Sequence, residues 1–368
     1  MNQTKIGASQ AVILLLLCRV FNILNFIPLF SNKIDMSSEL IAIIICTLLN
    51  FILVIPAIIL LKKYNGQNII DIAFRKNKVL GYSISFLYGF ILLFNLIETV
   101  FGFDFFITAV VYPNASSITI ILTFCIACFI CAQFGLEGIA RTATIVFIIF
   151  LSGVIFISIT SFKNINLLNL SPSLSNTTKQ VIEAMMTVTS KNSEIFILLL
   201  LAPKIKGNIS KCFIWYIILT GIISLLFNFL IITVLGKFAY SQTIPYFTLA
   251  SICETKILQR LDAVHMVIWV FISFVKVTAY SLLTAECLKK TLPKKAHKYA
   301  LTAIFAFTIL LSISLTYMPE VVQKAKFTTG FMTIFLLTIL PLFLIPQYHK
   351  KGGKLDENKI DSIVNVTI

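Results

Sequence analysis

The sequence predicts an all-α polytopic membrane protein with ten transmembrane helices. Three observations carry that expectation. Hydrophobic residues make up 58% of the 368 positions and charged residues only 12%, with a mean hydropathy of +0.96; soluble domains carry about 25% charged residues. Apolar runs near twenty residues long recur along the chain, and about 20 such residues cross a hydrocarbon core about 30 Å thick. Lysine and arginine fall mainly between the runs. The net charge of +15 therefore reads as a topology signal rather than a nucleic-acid surface.

The expected spans cover residues 8–30, 38–61, 79–112, 116–135, 139–160, 178–202, 212–236, 263–288, 296–317 and 327–345. The first holds Arg19, Asn22 and Asn25 ahead of Pro28. Two asparagines and a proline suggest a local break there, and Arg19 is also a candidate structural partner for an acid. No cleavable signal peptide is expected, because the first span is long and lacks a small-x-small site. The third span exceeds the bilayer thickness and so either tilts or projects beyond it. It carries Asn95, Glu98 and Thr99 on one face, with Asp104 two turns further on.

The fourth span contains Cys125, Cys128 and Cys131. Their spacing spreads the thiols around a helix, and no histidine or cysteine cluster follows. Packed, reduced thiols are favoured over a metal site. The eight cysteines are scattered, mostly in apolar runs, so no disulfide framework is expected. The three histidines, His265, His297 and His349, are far apart.

The sixth span has a mostly polar centre, Thr187-Val188-Thr189-Ser190-Lys191-Asn192-Ser193-Glu194, between two apolar halves. Such a centre cannot face lipid as a continuous helix. A broken helix whose freed backbone groups line a cavity is the usual solution. Its half-helix ends offer N–H groups to a carboxylate and C=O groups to an ammonium. The alternative is an extracellular loop between two short hydrophobic segments. After the seventh span, residues 237–262 form the longest outside connection, in which 246–262 suit a short amphipathic or re-entrant helix.

The eighth span carries the sharpest signal. Lys276 is preceded by thirteen residues from Ala263 without an acid, lysine or arginine, and followed by twelve to Leu288 in which only Glu286 is charged. A lysine at a bilayer centre costs about 2.5–3.5 kcal/mol on insertion scales, so its ammonium needs a partner, water or a ligand. Snorkelling is the structural alternative, disfavoured because about 18–20 Å of helix lies on either side. Trp269, Ser273, Lys276, Tyr280 and Thr284 share one face at helical spacing. Glu98 and Glu194 are candidate counter-ions for Lys276 or for a ligand ammonium; a Lys–Glu pair that only fixes helix packing is equally open.

With the N-terminus inside, the inside segments hold 19 lysines and arginines and the outside segments 8, the other three (Arg19, Lys191, Lys276) lying within spans. This bias places both termini in the cytoplasm. Residues 1–346 then form one membrane domain and 347–368 a short cytoplasmic tail. Hydrolase, zincin and P-loop motifs are absent, so neither enzymatic activity nor a metal or cofactor is expected.

Three local sequences, in order, carry a resemblance. Gly135-Leu136-Glu137-Gly138-Ile139-Ala140-Arg141 leads into the fifth span. Ser193-Glu194-Ile195-Phe196 opens an apolar run that closes at Pro203. Gln259-Arg260-Leu261-Asp262 precedes the eighth span with its Trp269, Lys276 and Tyr280. Together with the number of spans, these resemble the spore germination permease family, the B subunit of nutrient germinant receptors, within the amino acid–polyamine–organocation superfamily. Polar breaks in spans one and six look like the five-plus-five inverted repeat of amino-acid transporters, with halves at about 6–160 and 178–317 and a last span at 327–345.

The resemblance implies a protein of the endospore inner membrane that assembles with an A subunit and a lipoprotein C subunit. A small nutrient, an amino acid first of all, would bind near the membrane midplane and trigger germination. A secondary amino-acid transporter, with or without proton coupling, is the alternative. By position, Asn22, Asn25, Asn95, Glu98, Thr189, Ser190, Ser193, Glu194, Ser273, Lys276 and Tyr280 would line the site. Backbone at the two breaks would take a carboxylate, and Glu98 or Glu194 an ammonium. Lys276 would hold the acid network together or occupy an ion-like position. The pairs Glu137–Arg141 and Arg260–Asp262 would support structure or partner docking. One departure stands out: the superfamily often has glycines at the first break, where this chain has Phe21-Asn22-Ile23-Leu24-Asn25.

Overall fold

The computed structural model describes residues 5–24, 36–170, 182, 185, 188–189, 192–253, 262–317 and 331–345. Asn25, Ser190, Arg260 and the tail 347–368 lie outside the described residues. What is described is almost entirely helical. Helix α1 spans Ala8–Leu24, α2 Met36–Leu53, α3 Ile55–Lys63, α4 Ile69–Lys76 and α5 Lys78–Phe106, which runs on through a π turn at Ile107–Val111. Helix α6 spans Ser117–Ala132, α7 Gly135–Ser161, α8 Ile197–Leu201, α9 Ile209–Leu235 and α10 Pro245–Ile252. The last three are α11 (Asp262–Thr291), α12 (Ala300–Thr316) and α13 (Phe331–Leu344).

The chain is an integral membrane protein. Among the described residues, six helical stretches are long and apolar enough to cross a bilayer: Ser38–Lys63, Lys78–Val111, Gly135–Asn164, Ile209–Ala239, Asp262–Thr291 and Lys294–Thr316. Three shorter apolar helices, Ala8–Leu24, Ser117–Ala132 and Phe331–Leu344, lie where the first, fourth and last spans were expected. The interior is organised around α11, which packs against α5, α7, α1 and α12. Its apolar window is 67% buried, against 28% for Lys294–Thr316, so α11 is central and α12 peripheral. Helix α1 is apolar on nearly every side and is buried along most of its length, as such a helix must be inside a bundle.

Several details were not anticipated. The second span kinks at Val54, just before Pro56, whose ring removes a backbone donor; Thr338 Oγ1 donates to Leu53 O beside the kink at 2.9 Å. The short connection after α3 is partly helical. Asn68 caps α4 by accepting the Ile70 N–H at 2.9 Å, and Arg75 and Lys76 fill the last turn, where cations suit the helix dipole. Helix α7, the fifth expected span, starts at Gly135, four residues earlier than residue 139, because Gly135 makes the turn from α6 at φ +74°, a conformation that favours glycine. The long connection contains α10 and buries its Pro245, Tyr246, Leu249 and Ala250; residues 254–261 lie outside the described residues.

A two-residue parallel pairing joins strand β1 (Ile6–Gly7) to strand β2 (Ile205–Lys206). It brings the start of the first span beside the end of the sixth. Gly207 follows at φ +124°, a conformation that favours glycine, and a Cβ there would stand 3.2 Å from that of Ala8, a tight contact.

Candidate functional site

The sixth segment breaks where its polar centre required. Asn192 leads into a single 3₁₀ turn, Ser193–Phe196, and α8 resumes the helix. The turn is fully buried, with Glu194 at 0% exposure. Polar side chains from three other elements converge on it. Helix α1 contributes Asn22, α5 contributes Asn95, and α11 contributes Lys276 and Tyr280.

Glu194 Oε1 is the focus. It accepts from Asn22 Nδ2 at 2.7 Å, from Lys276 Nζ at 3.3 Å and from Tyr280 OH at 3.3 Å. Asn22 faces both ways: its Oδ1 accepts from Lys276 Nζ at 2.6 Å while its amide N–H reaches Glu194. Only a side chain with a donor and an acceptor in one plane closes such a triangle; an aspartate there would set a second carboxylate beside the first. The Lys276 ammonium also lies 4.9 Å from the ring of Phe21 and 5.4 Å from that of Tyr280, distances at which an aromatic face attracts a cation. Lys276 itself is 1% exposed. The second carboxylate oxygen, Glu194 Oε2, is buried and receives no hydrogen bond from the described residues. A buried acceptor left open on a charged group costs more than the 1–3 kcal/mol of a neutral one, and it suits an N–H donor brought by a ligand.

A second layer steadies this triangle. Ser193 Oγ donates to Asn95 Oδ1 at 3.4 Å, and Asn95 Nδ2 donates to Ile91 O at 2.9 Å. Tyr216 OH donates to Asn192 Oδ1 at 2.9 Å. Arg19 is buried one turn before Asn22 and lies within electrostatic reach of Glu194 and Tyr216. Among the described residues, the acid in ion-pair contact with Lys276 is Glu194, while Glu98 is half-buried further along α5.

The remaining candidates divide. Ser273 is buried on the Lys276 face but donates to Trp269 O of its own helix at 2.7 Å. Thr189 donates to Met185 O at 2.8 Å and lies 3.7 Å from Cys46 Sγ on α2. Glu137 and Arg141 form an exposed pair at 2.6 Å. Asp262 opens α11 and accepts the Ala263 N–H at 2.9 Å. Tyr216 escaped the sequence analysis, because one tyrosine in the apolar run 212–236 carries no periodic signal; the polar Asn192 was the only available hint.

Beyond the triangle, α11 meets a layer of rings. Trp269 lies 4.2 Å from Phe106, 5.4 Å from Phe103 and 5.5 Å from Phe21, centroid to centroid. At its other end α11 is held by ion pairs: Glu286 with Lys204, just after α8, and Lys290 with Asp71 of α4 at 2.5 Å. Among the described residues no group of three or more His, Cys, Asp or Glu is arranged to hold a metal ion.

A family model described as "Spore germination protein" matches residues 5–321. Among solved structures, the chain is similar to the manganese transporter of Eremococcus coleocola, solved in complex with an aromatic bis-isothiourea substituted compound. The likeness covers 97% of this chain and 90% of that one at a TM-score of 0.50 and 11% identity, and so concerns the fold alone. No curated protein sequence matches the chain.

Proposed function

The chain belongs to the spore germination protein family, and from that premise we propose that it is the nutrient-binding membrane subunit of a germinant receptor. In this reading it has ten spans in a five-plus-five inverted repeat, both termini in the cytoplasm, and a site at the breaks of spans one and six. It sits in the inner membrane of the endospore with an A subunit and a lipoprotein C subunit, and its ligand is an amino acid.

The triangle of Lys276, Asn22 and Glu194, whose two ions are buried, is the observation that carries the reading. A chain keeps a lysine at this depth only if its cost is offset, and here the offset is tied to the break itself. The open Glu194 Oε2 takes the ammonium of the nutrient. Backbone N–H groups at the break and the Lys276 ammonium take its carboxylate. Binding therefore alters the contacts of α1, the sixth segment and α11 together, and differential contact in two states is what a receptor needs in order to signal.

The test is the time course of labelled amino-acid retention by the purified protein in proteoliposomes of two internal volumes. Saturable retention that ignores volume is expected. Retention that scales with volume means passage across the membrane, and would replace the receptor by a secondary transporter. In spores, Lys276→Ala should abolish the nutrient response at normal membrane abundance, and an intact response would sink the site.

A further inference from the structure

His265 lies on the same face of α11 as Trp269, Lys276 and Tyr280, about 16 Å from Lys276 along the helix at 1.5 Å per residue. It is 1% exposed, and neither ring nitrogen has a hydrogen-bond partner among the described residues. The hydroxyl of Tyr246 on α10 is in the same condition, and that residue is 2% exposed. The two side chains are neighbours, with ring centroids 5.4 Å apart. Phe106 at 6.1 Å and Phe247 at 5.8 Å enclose the imidazole from α5 and α10. Three buried polar atoms thus share one aromatic box without a partner among the described residues, a costly condition for groups cut off from water. Between box and triangle stands the ring layer of Trp269, which touches Phe106 on one side and Phe21 on the other.

We infer that the His265–Tyr246 box is a second, outer subsite, where an amino acid is held before it passes the Trp269 layer to Lys276. The inference rests on the receptor reading for the class of ligand, and on the unpartnered atoms for the site. A neutral imidazole offers one donor and one acceptor, and the tyrosine hydroxyl offers both. A zwitterion supplies the complement: its carboxylate accepts and its ammonium donates. The faces of Phe106, Tyr246 and Phe247 attract the ammonium and shelter an apolar side chain. A water molecule makes similar hydrogen bonds, but an amino acid would then leave the box unaffected.

The test is carbethoxylation of His265 by diethyl pyrocarbonate, followed by peptide mass spectrometry, on the full chain in phosphatidylglycerol–phosphatidylethanolamine nanodiscs. A mixture of common L-amino acids at millimolar concentration is the probe. Labelling of His265 should slow about five-fold relative to His297 in the same sample, a reference that corrects for reagent consumed by the probe's own amines; five-fold is the protection reached when free ligand is about four times its Kd. The same protection should persist in Lys276→Ala, and Tyr246→Phe, which removes only a hydroxyl, should weaken it. Equal rates with and without amino acids overturn the subsite. So does a His265 that labels only after unfolding, because the box is then closed core. Protection that vanishes in Lys276→Ala confines binding to the inner site and leaves the receptor reading standing. Protection that persists while Lys276→Ala spores still respond to nutrient sinks the Lys276 site alone and leaves the outer subsite standing.

Discussion

Two of the lysine–carboxylate pairs on helix α11 differ in every respect but their chemistry. Lys290 and Asp71 meet at 2.5 Å with side chains 42% and 44% exposed. Lys276 and Glu194 meet at 3.3 Å with side chains 1% and 0% exposed. The shorter contact is the weaker one. At the exposed pair, water and salt screen the charges, and such pairs contribute about 0–1 kcal/mol. At the buried pair both ions have given up hydration, so removing one leaves the other uncompensated at a cost of about 3–5 kcal/mol. Distance thus says little about the worth of an ion pair until burial is known.

The comparison can be tested from its strongest arm downwards. Lys276→Ala should destabilise the protein by about 3–5 kcal/mol, measured by thermal unfolding in detergent, and should abolish the nutrient response. The double variant Lys276→Met with Glu194→Gln should recover most of that stability, since a neutral pair strands no charge, while the response stays absent. Recovery of both would make the pair a packing device only. Asn22→Ala should cost about 1–3 kcal/mol by leaving Lys276 and Glu194 each short of a hydrogen bond; Asn22→Asp should cost more, because two carboxylates then face each other. Tyr280→Phe removes a single donor at 3.3 Å from Glu194 Oε1 and should cost about 1 kcal/mol. Lys290→Ala should change stability by less than about 1 kcal/mol, and that small effect should shrink further in high salt. A larger effect at Lys290 than at Lys276 would invert the comparison.

Much of this arrangement was legible in the sequence, for identifiable reasons. Hydropathy marks the spans because an exposed backbone cannot persist in lipid. The Lys276 stripe was visible because helical spacing needs no tertiary knowledge, and Trp269, Ser273, Lys276, Tyr280 and Thr284 are indeed all buried. The break near Glu194 was visible because seven consecutive turns of lipid-facing helix cannot contain so polar a centre. The choice between Glu98 and Glu194 as partner of Lys276 was not visible, for it depends on which helix face meets which. Nor was the role of Asn22 as the bridge, which only the facing of α1 and α11 creates. The pairing of β1 with β2 joins residues nearly two hundred positions apart through two strands too short to leave a pattern. Tyr216 looked like one more aromatic residue until Asn192 was found against it.

Helix α11 runs without interruption for 30 residues, from Asp262 to Thr291, about 45 Å at 1.5 Å per residue. Lys276 stands midway between Asp262 and Lys290, with about 21 Å of helix on either side. The triangle therefore grips a stiff beam at its fulcrum. A tilt of about 5° there would carry each tip about 2 Å, in opposite directions. That is comparable to the length of the Lys290–Asp71 contact near one tip. A change at the half-buried amide of Asn22 would be delivered, magnified and with opposite sign, to the two ends of α11.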